Sequence, residues 1–155
     1  MIKSLPYRLG VGLVIINSQS KIFTGRRLDS TKAWQMPQGG IDDNEIPLEA
    51  AYREMGEETG IEKCKVALLK QSKLWYRYDL PKEMQGKFWG GKFRGQSQKW
   101  FLFKFIGVDS DINIETKEPE FADWRWSKKS DMLESIVPFK KSLYQAVLKD
   151  FELDL

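Results

Sequence analysis

A mixed α/β domain is the fold class this sequence predicts, and three observations carry it. Apolar runs of strand length lie on both sides of a central segment with helical spacing, and a second helical repeat closes the chain. At 155 residues and 41% hydrophobic content, the chain suffices for one domain, 1–155, with a sizeable core. Residues 9–16 form an apolar strand-like run, 17–20 a turn, and 21–26 a short strand. The segment Trp34-Gln-Met-Pro-Gln-Gly-Gly leads into a helix over 46–59, in which Leu48, Ala51, Tyr52 and Met55 recur at i, i+3, i+4 and i+7. Asp42, Asp43 or Asn44 is expected to cap that helix, Pro47 suits its first turn, and Gly60 suits a left-handed stop.

Residues 64–78 read as a strand with polar interruptions. Residues 80–97 hold Gly86, Gly90, Gly91 and Gly95 and are expected to form a long, mobile excursion. From 99 to 106, Trp100 and Leu102 alternate with Phe101, Phe103 and Phe105, the pattern of a strand covered on both faces. A short strand is expected over 120–126. Phe139, Leu143, Val147 and Phe151 recur every four residues and mark a closing helix. No internal repeat or second-domain boundary is visible.

The helix over 46–59 also carries chemistry. Glu54, Glu57 and Glu58 fall at i, i+3 and i+4, roughly a quarter to a third of a turn from the apolar stripe. Each close pair repels by about 1 kcal/mol in water and by more when desolvated. A divalent cation relieves that repulsion, and oxygen-only donors suit Mg²⁺ or Mn²⁺. The bland alternative is the solvated face of an amphipathic helix. Arg53, always charged and able to grip a carboxylate with two N–H groups, is read as an orienting residue.

Composition narrows the chemistry. With no histidine, imidazole bases, His-based triads and His–zinc sites are excluded. Cys64 is the only cysteine, so no disulfide framework exists; it is expected to be a small, partly buried residue near a strand. A water activated by metal and glutamate is the economical nucleophile. The N-terminal residues lack a signal-peptide run and no segment is long enough to span a bilayer, so a soluble cytoplasmic protein is expected. Net charge is +3, unevenly spread: eight acidic residues against Arg53 alone in 39–62, and nine Lys or Arg against Asp79 and Glu83 in 70–104. An acidic nest beside a basic stretch suits a polyphosphate substrate, although a basic surface also serves solubility.

Residues 39–61, GGIDDNEIPLEAAYREMGEETGI, match G-x5-E-x7-R-E-U-x-E-E-x-G-U at Gly39, Glu45, Arg53, Glu54, Met55, Glu57, Glu58, Gly60 and Ile61. On those residues the chain resembles the Nudix hydrolases. The likeness extends through Tyr7-Arg8, Val11-Gly12, Arg26-Arg27, Leu80-Pro81-Lys82, Gln98-Lys99-Trp100-Phe101, Pro119-Glu120-Phe121, Trp124-Arg125-Trp126 and Val137-Pro138-Phe139-Lys140. These segments resemble the bacterial RNA pyrophosphohydrolase branch, kin to the diadenosine polyphosphate hydrolases.

The resemblance implies an α/β/α sandwich around a mixed sheet. It implies removal of pyrophosphate from triphosphorylated RNA 5′ ends, which promotes message decay, or alternatively hydrolysis of diadenosine tetraphosphate. A silent nucleotide-binding domain is a third reading, opposed by the intact Arg53, Glu54, Glu57 and Glu58. The resemblance assigns metal binding to Glu54, Glu57, Glu58 and Glu120, with Glu57 or Glu58 polarising water. Glu120 equally fits a surface turn. It assigns phosphate and base contacts to Arg8 and Arg27, which otherwise read as solvated arginines. Val137, Phe139 and Lys140 resemble a cleft for the first or second base, although Phe139 also fits the core register of the closing helix. Tyr76 and Tyr78 offer stacking rings or a partly buried strand. Trp34, Trp100, Trp124 and Trp126 are read as core residues.

Overall fold

The computed structural model describes residues 5–29 and 32–153. Seven strands form one mixed sheet: β1 (Tyr7–Ile16), β2 (Ile22–Arg27), β3 (Trp34–Gln35), β4 (Gln38–Gly40), β5 (Val66–Asp79), β6 (Gly95–Phe105) and β7 (Phe121–Ser127). The helices are α1 (Pro47–Thr59), α2 (Lys129–Ser135) and α3 (Pro138–Asp150). The main path runs β3-β2-β1-β6-β5, with β4 paired to β1 and β7 to β2. Strands β1 and β6 are parallel, in register from Tyr7 opposite Gly95 to Ile16 opposite Lys104; every other pairing is antiparallel.

Alternation along β1 and β6 divides the core in two. Val14, Ile16, Trp100 and Leu102 pack with Met132, Leu143, Tyr144 and Val147 of α2 and α3. Val11, Leu13, Ile15, Phe101, Phe103 and Phe105 pack with Ala50, Ala51 and Met55 of α1. Successive strand residues point to opposite faces, so the unbroken apolar runs 13–16 and 100–103 on the two central strands require helices on both sides. The result is the α/β/α sandwich expected above.

Several local expectations are corrected. No acidic or amide side chain caps α1: its N-cap is Ile46, followed by Pro47, without a side-chain cap. Asp42 and Glu45 are instead tied into a turn by the Glu45 N–H to Asp42 carbonyl bond and by Glu45 Oε1 accepting from the Asp42 N–H, while Asn44 takes φ 66°. Gly60 does end the helix, at φ 71°. Cys64 is exposed, because residues 63–65 form a short 3-10 turn ahead of β5. Strand β6 begins at Gly95, so the excursion spans 80–94 and contains two short 3-10 turns. Leu9 is 56% exposed despite lying in an apolar run. Among the described residues, no helix is long and apolar enough to cross a membrane.

Of the four tryptophans read as core, Trp100 is fully buried. Trp124 and Trp126 are half-buried against the α1-side core, and half-buried Trp34 lies beneath the Arg125 guanidinium, 4.0 Å from its ring centre. Buried Tyr144 stacks edge-on against Trp100, and its hydroxyl accepts the Met36 N–H at 2.9 Å. Tyr144→Phe removes that acceptor and strands a buried donor. A loss of about 1–3 kcal/mol is expected, read as a lower urea midpoint at unchanged m value; an unchanged midpoint would refute the hydrogen bond's role.

Candidate active site

Arg53 organises the acidic side of the site. Its Nε donates to Glu45 Oε2 at 2.8 Å and Nη2 to Glu45 Oε1 at 2.9 Å, a two-point grip. Nη2 also donates to the Gly40 carbonyl at 2.8 Å. The remaining nitrogen, Nη1, donates to Glu54 at 2.8 Å and Glu57 at 3.1 Å. One guanidinium therefore joins the strand before the helix to two carboxylates on it. Beside Arg53, the Glu45 carboxyl is held below its ordinary range, chiefly by that hydrogen bond. Lysine, with a single point charge, cannot reproduce the fork.

Gly39 and Gly40 permit the close approach of this side. A Cβ on Gly39 would stand 2.0 Å from Glu54 Cδ, and one on Gly40 2.2 Å from an Arg8 Nη2. The glutamates differ sharply in environment. Glu57 is 58% exposed along its side chain. Glu54 is largely buried, and desolvation raises its pKa to about 7 against the opposing pull of Arg53. Glu58 is 3% exposed, and burial, then Glu54 and Glu120, push its carboxyl well above the usual range. Its Oε2 accepts the Gln38 N–H at 2.9 Å.

These groups open onto a cavity of about 840 Å³. Glu54, Glu57, Glu58 and Glu120 line it together, and Arg8, Arg27, Lys117 and Lys140 bring cations to it. Arg27 grips Asp29 through two bonds, 2.8 and 2.6 Å long. Lys140 is buried, and desolvation lowers its pKa to about 8, aided by Arg27 and opposed by Glu58 and Asp29. Its ammonium lies 5.2 Å from the Tyr78 ring centre. Tyr78 and Phe139 meet as tilted rings 5.8 Å apart and line the same cavity with Val137. Behind them, Gln98 Nε2 donates to Gln38 Oε1, and Gln96 Nε2 donates to Tyr78 Oη.

Nearly all of the residues singled out in the sequence meet here. Arg8, Arg27, Glu54, Glu57, Glu58, Glu120, Val137, Phe139 and Lys140 line the cavity, and Arg53 supports it from behind through Glu54, Glu57 and Gly40. The basic stretch is different. None of its nine cations is among the cavity-lining residues; five lie on β5 and β6, whose residues alternate between faces, and Lys82, Lys87, Lys92 and Arg94 lie in the excursion between them. Tyr76 does not line the cavity either; its hydroxyl donates to Asp150 Oδ2 at 2.6 Å. Missed by sequence reasoning were Gln38, Gln96, Lys117 and the Met84–Phe88–Trp89 wall. Buried Gln96 and Gln98, two apart on a strand, were the one legible signal among them.

Among the described residues, no three carboxylates converge into a shared coordination sphere; Glu54 and Glu57 are drawn to Arg53. The donor set nonetheless fits a hard divalent cation. Glu54, Glu57, Glu58 and Glu120 border one cavity together with Glu118, and buried Glu58 gains most from a cation that favours its charged form.

The sequence matches the NUDIX domain family over residues 6–147. It is 53% identical over 150 residues to the RNA pyrophosphohydrolase of Rickettsia bellii (strain OSU 85-389), covering 96% of this chain and 92% of that one. The RNA pyrophosphohydrolase of Rickettsia canadensis (strain McKiel) is 52% identical over 149 residues, 96% of this chain and 91% of the relative. Among solved structures, E. coli dihydroneopterin triphosphate pyrophosphohydrolase superposes with a TM-score of 0.72 at 16% identity, covering 96% of this chain and 99% of that one. A C. elegans Ap4A hydrolase binary complex superposes with a TM-score of 0.64 at 21% identity, covering 92% and 98%. A family match across most of the chain, on the helix that carries Arg53 and the three glutamates, makes this protein a member of the Nudix family.

Proposed function

We propose that this chain is an RNA 5′ pyrophosphohydrolase, adding one water across the α–β anhydride of a triphosphorylated end to leave a monophosphate and release pyrophosphate. The observation that carries the reading is one cavity lined by Glu54, Glu57, Glu58 and Glu120 together with Arg8, Arg27 and Lys140, beside the Tyr78–Phe139 wall. The likeness over nearly the full length to proteins named RNA pyrophosphohydrolase supports it. We assign the activity to the cytoplasm, where such ends are met.

Nudix hydrolases generally use divalent metal ions. We infer Mg²⁺ or Mn²⁺, held by Glu54, Glu57, Glu58 and Glu120; when bound it supplies Lewis acidity and neutralises phosphate charge. Arg53 keeps Glu54 and Glu57 in place. Glu57 or Glu58 takes the proton as water attacks phosphorus. Arg8, Arg27 and Lys140 steady the charge on the leaving phosphates. Tyr78, Val137 and Phe139 receive a base, a contact that orients the end for in-line attack.

Purified protein assayed with Mg²⁺ or Mn²⁺ on a triphosphorylated RNA of several nucleotides and on diadenosine tetraphosphate tests the reading. Monophosphorylated RNA is expected, without internal cleavage, and kcat/KM is expected to favour RNA. A preference of about tenfold or more for the dinucleotide, roughly 1.4 kcal/mol in transition-state binding, would overturn it.

A further inference from the structure

The proposed function assigns phosphates and one base to the inner cavity, whose lining continues onto a second aromatic surface. The excursion between β5 and β6 contributes Met84, Phe88 and Trp89 to the cavity that holds Glu54 and Glu58. Phe88 is 38% exposed, although buried Leu80 already anchors the start of the excursion. The Phe88 and Trp89 rings are tilted at 52° with centres 6.2 Å apart, and Phe93 meets Trp89 edge-on, also at 6.2 Å. The Arg8 guanidinium lies 5.2 Å from the Trp89 ring centre, tying this wall to a cation of the phosphate site.

Trp89 takes φ 51°. That left-handed conformation is costly for a bulky residue and persists where surrounding contacts hold it in place. Trp89 packs in part against the core on the α2–α3 side, whereas Phe88 beside it leaves its ring exposed on the cavity. Aromatic faces beside a phosphate-binding cation are the chemistry that receives nucleobases of a single strand.

We infer that Phe88 and Trp89 form a second base-stacking wall, which takes the nucleobase next along the substrate from the one at Tyr78 and Phe139. This rests on the RNA reading above, where the next nucleotide supplies that base. A dinucleoside polyphosphate also carries a second base, so the test separates the two sources.

Phe88 is the residue to change, since its ring is exposed and meets Trp89. Phe88→Ala is expected to lower kcat/KM on a triphosphorylated pentanucleotide by roughly tenfold, the value of one stacked base, mainly through KM. The inhibition constant of a nucleoside triphosphate, which has only one base, should stay within about twofold. Phe88→Tyr should restore RNA turnover, and thermal midpoints should match. Equal weakening on both ligands, or none on either, overturns the second wall.

Failure of the RNA reading looks different. In that case the wild type prefers diadenosine tetraphosphate, and the comparison moves to that compound and adenosine tetraphosphate. A defect of Phe88→Ala confined to the two-base compound upholds the wall; its absence overturns it.

Discussion

Glu58→Gln is expected to leave the fold standing while turnover falls by about a hundredfold or more, the scale of losing a catalytic carboxylate. Glu58 is buried, and desolvation pushes its carboxyl well above the ordinary range. A group with a raised folded-state pKa favours the folded state at low pH, and that contribution is lost as pH rises through the raised value. Without metal, wild-type stability should therefore decline as pH climbs above the ordinary carboxyl range. The amide cannot ionise and still offers an oxygen to the Gln38 N–H, so the variant should lose Glu58's share of that decline and keep the part due to Glu54, whose pKa is also raised. Divalent cation should raise the wild-type thermal midpoint more than the variant's, because only the wild type supplies a charged ligand there. Near-normal turnover of Glu58→Gln at saturating Mg²⁺ would remove Glu58 from the proposed machinery.

Gly39→Ala tests the same cluster through the backbone. The added methyl would stand 2.0 Å from Glu54 Cδ and 2.2–2.3 Å from its two oxygens, so Glu54 must leave its place on Arg53. Displacing a reacting group by about 1 Å can cost on the order of a hundredfold in rate, and a loss of that size in kcat is expected. Gly56→Ala on the same helix is the matched control. Its Cβ meets nothing within 4 Å, and replacing an exposed helical glycine should add roughly 0.5–1 kcal/mol of stability without touching turnover. Equal activity of the two variants would mean that Glu54 has no fixed catalytic position.

By itself the sequence determined the mixed α and β elements and the acidic half of the site, because both are local in period; the layering was implied only by the Nudix resemblance. Alternation in residues 99–106 and the four-residue spacing from Phe139 to Phe151 follow strand and helix geometry directly. The i, i+3, i+4 glutamates share one face for the same reason. Cap chemistry was less legible: Asp42, Asp43 and Asn44 suit an N-cap by residue type, but the chain turns there and the helix starts only after Ile46. What only the tertiary structure decided is non-local. Parallel pairing of β1 with β6 places Arg8 opposite Gln96, and β5 pairing places Tyr78 opposite Gln96 from the other side, so residues some seventy and ninety positions apart line one cavity. The nine cations of residues 70–104 are not among that cavity's lining, although Tyr78, Met84, Phe88, Trp89 and Gln96 of the same stretch are, because a charge count carries no facing. Burial likewise set identical side chains apart: the packed sheet desolvates Glu54 and Glu58 and raises both carboxyl pKa values, whereas the Glu57 side chain stays 58% exposed.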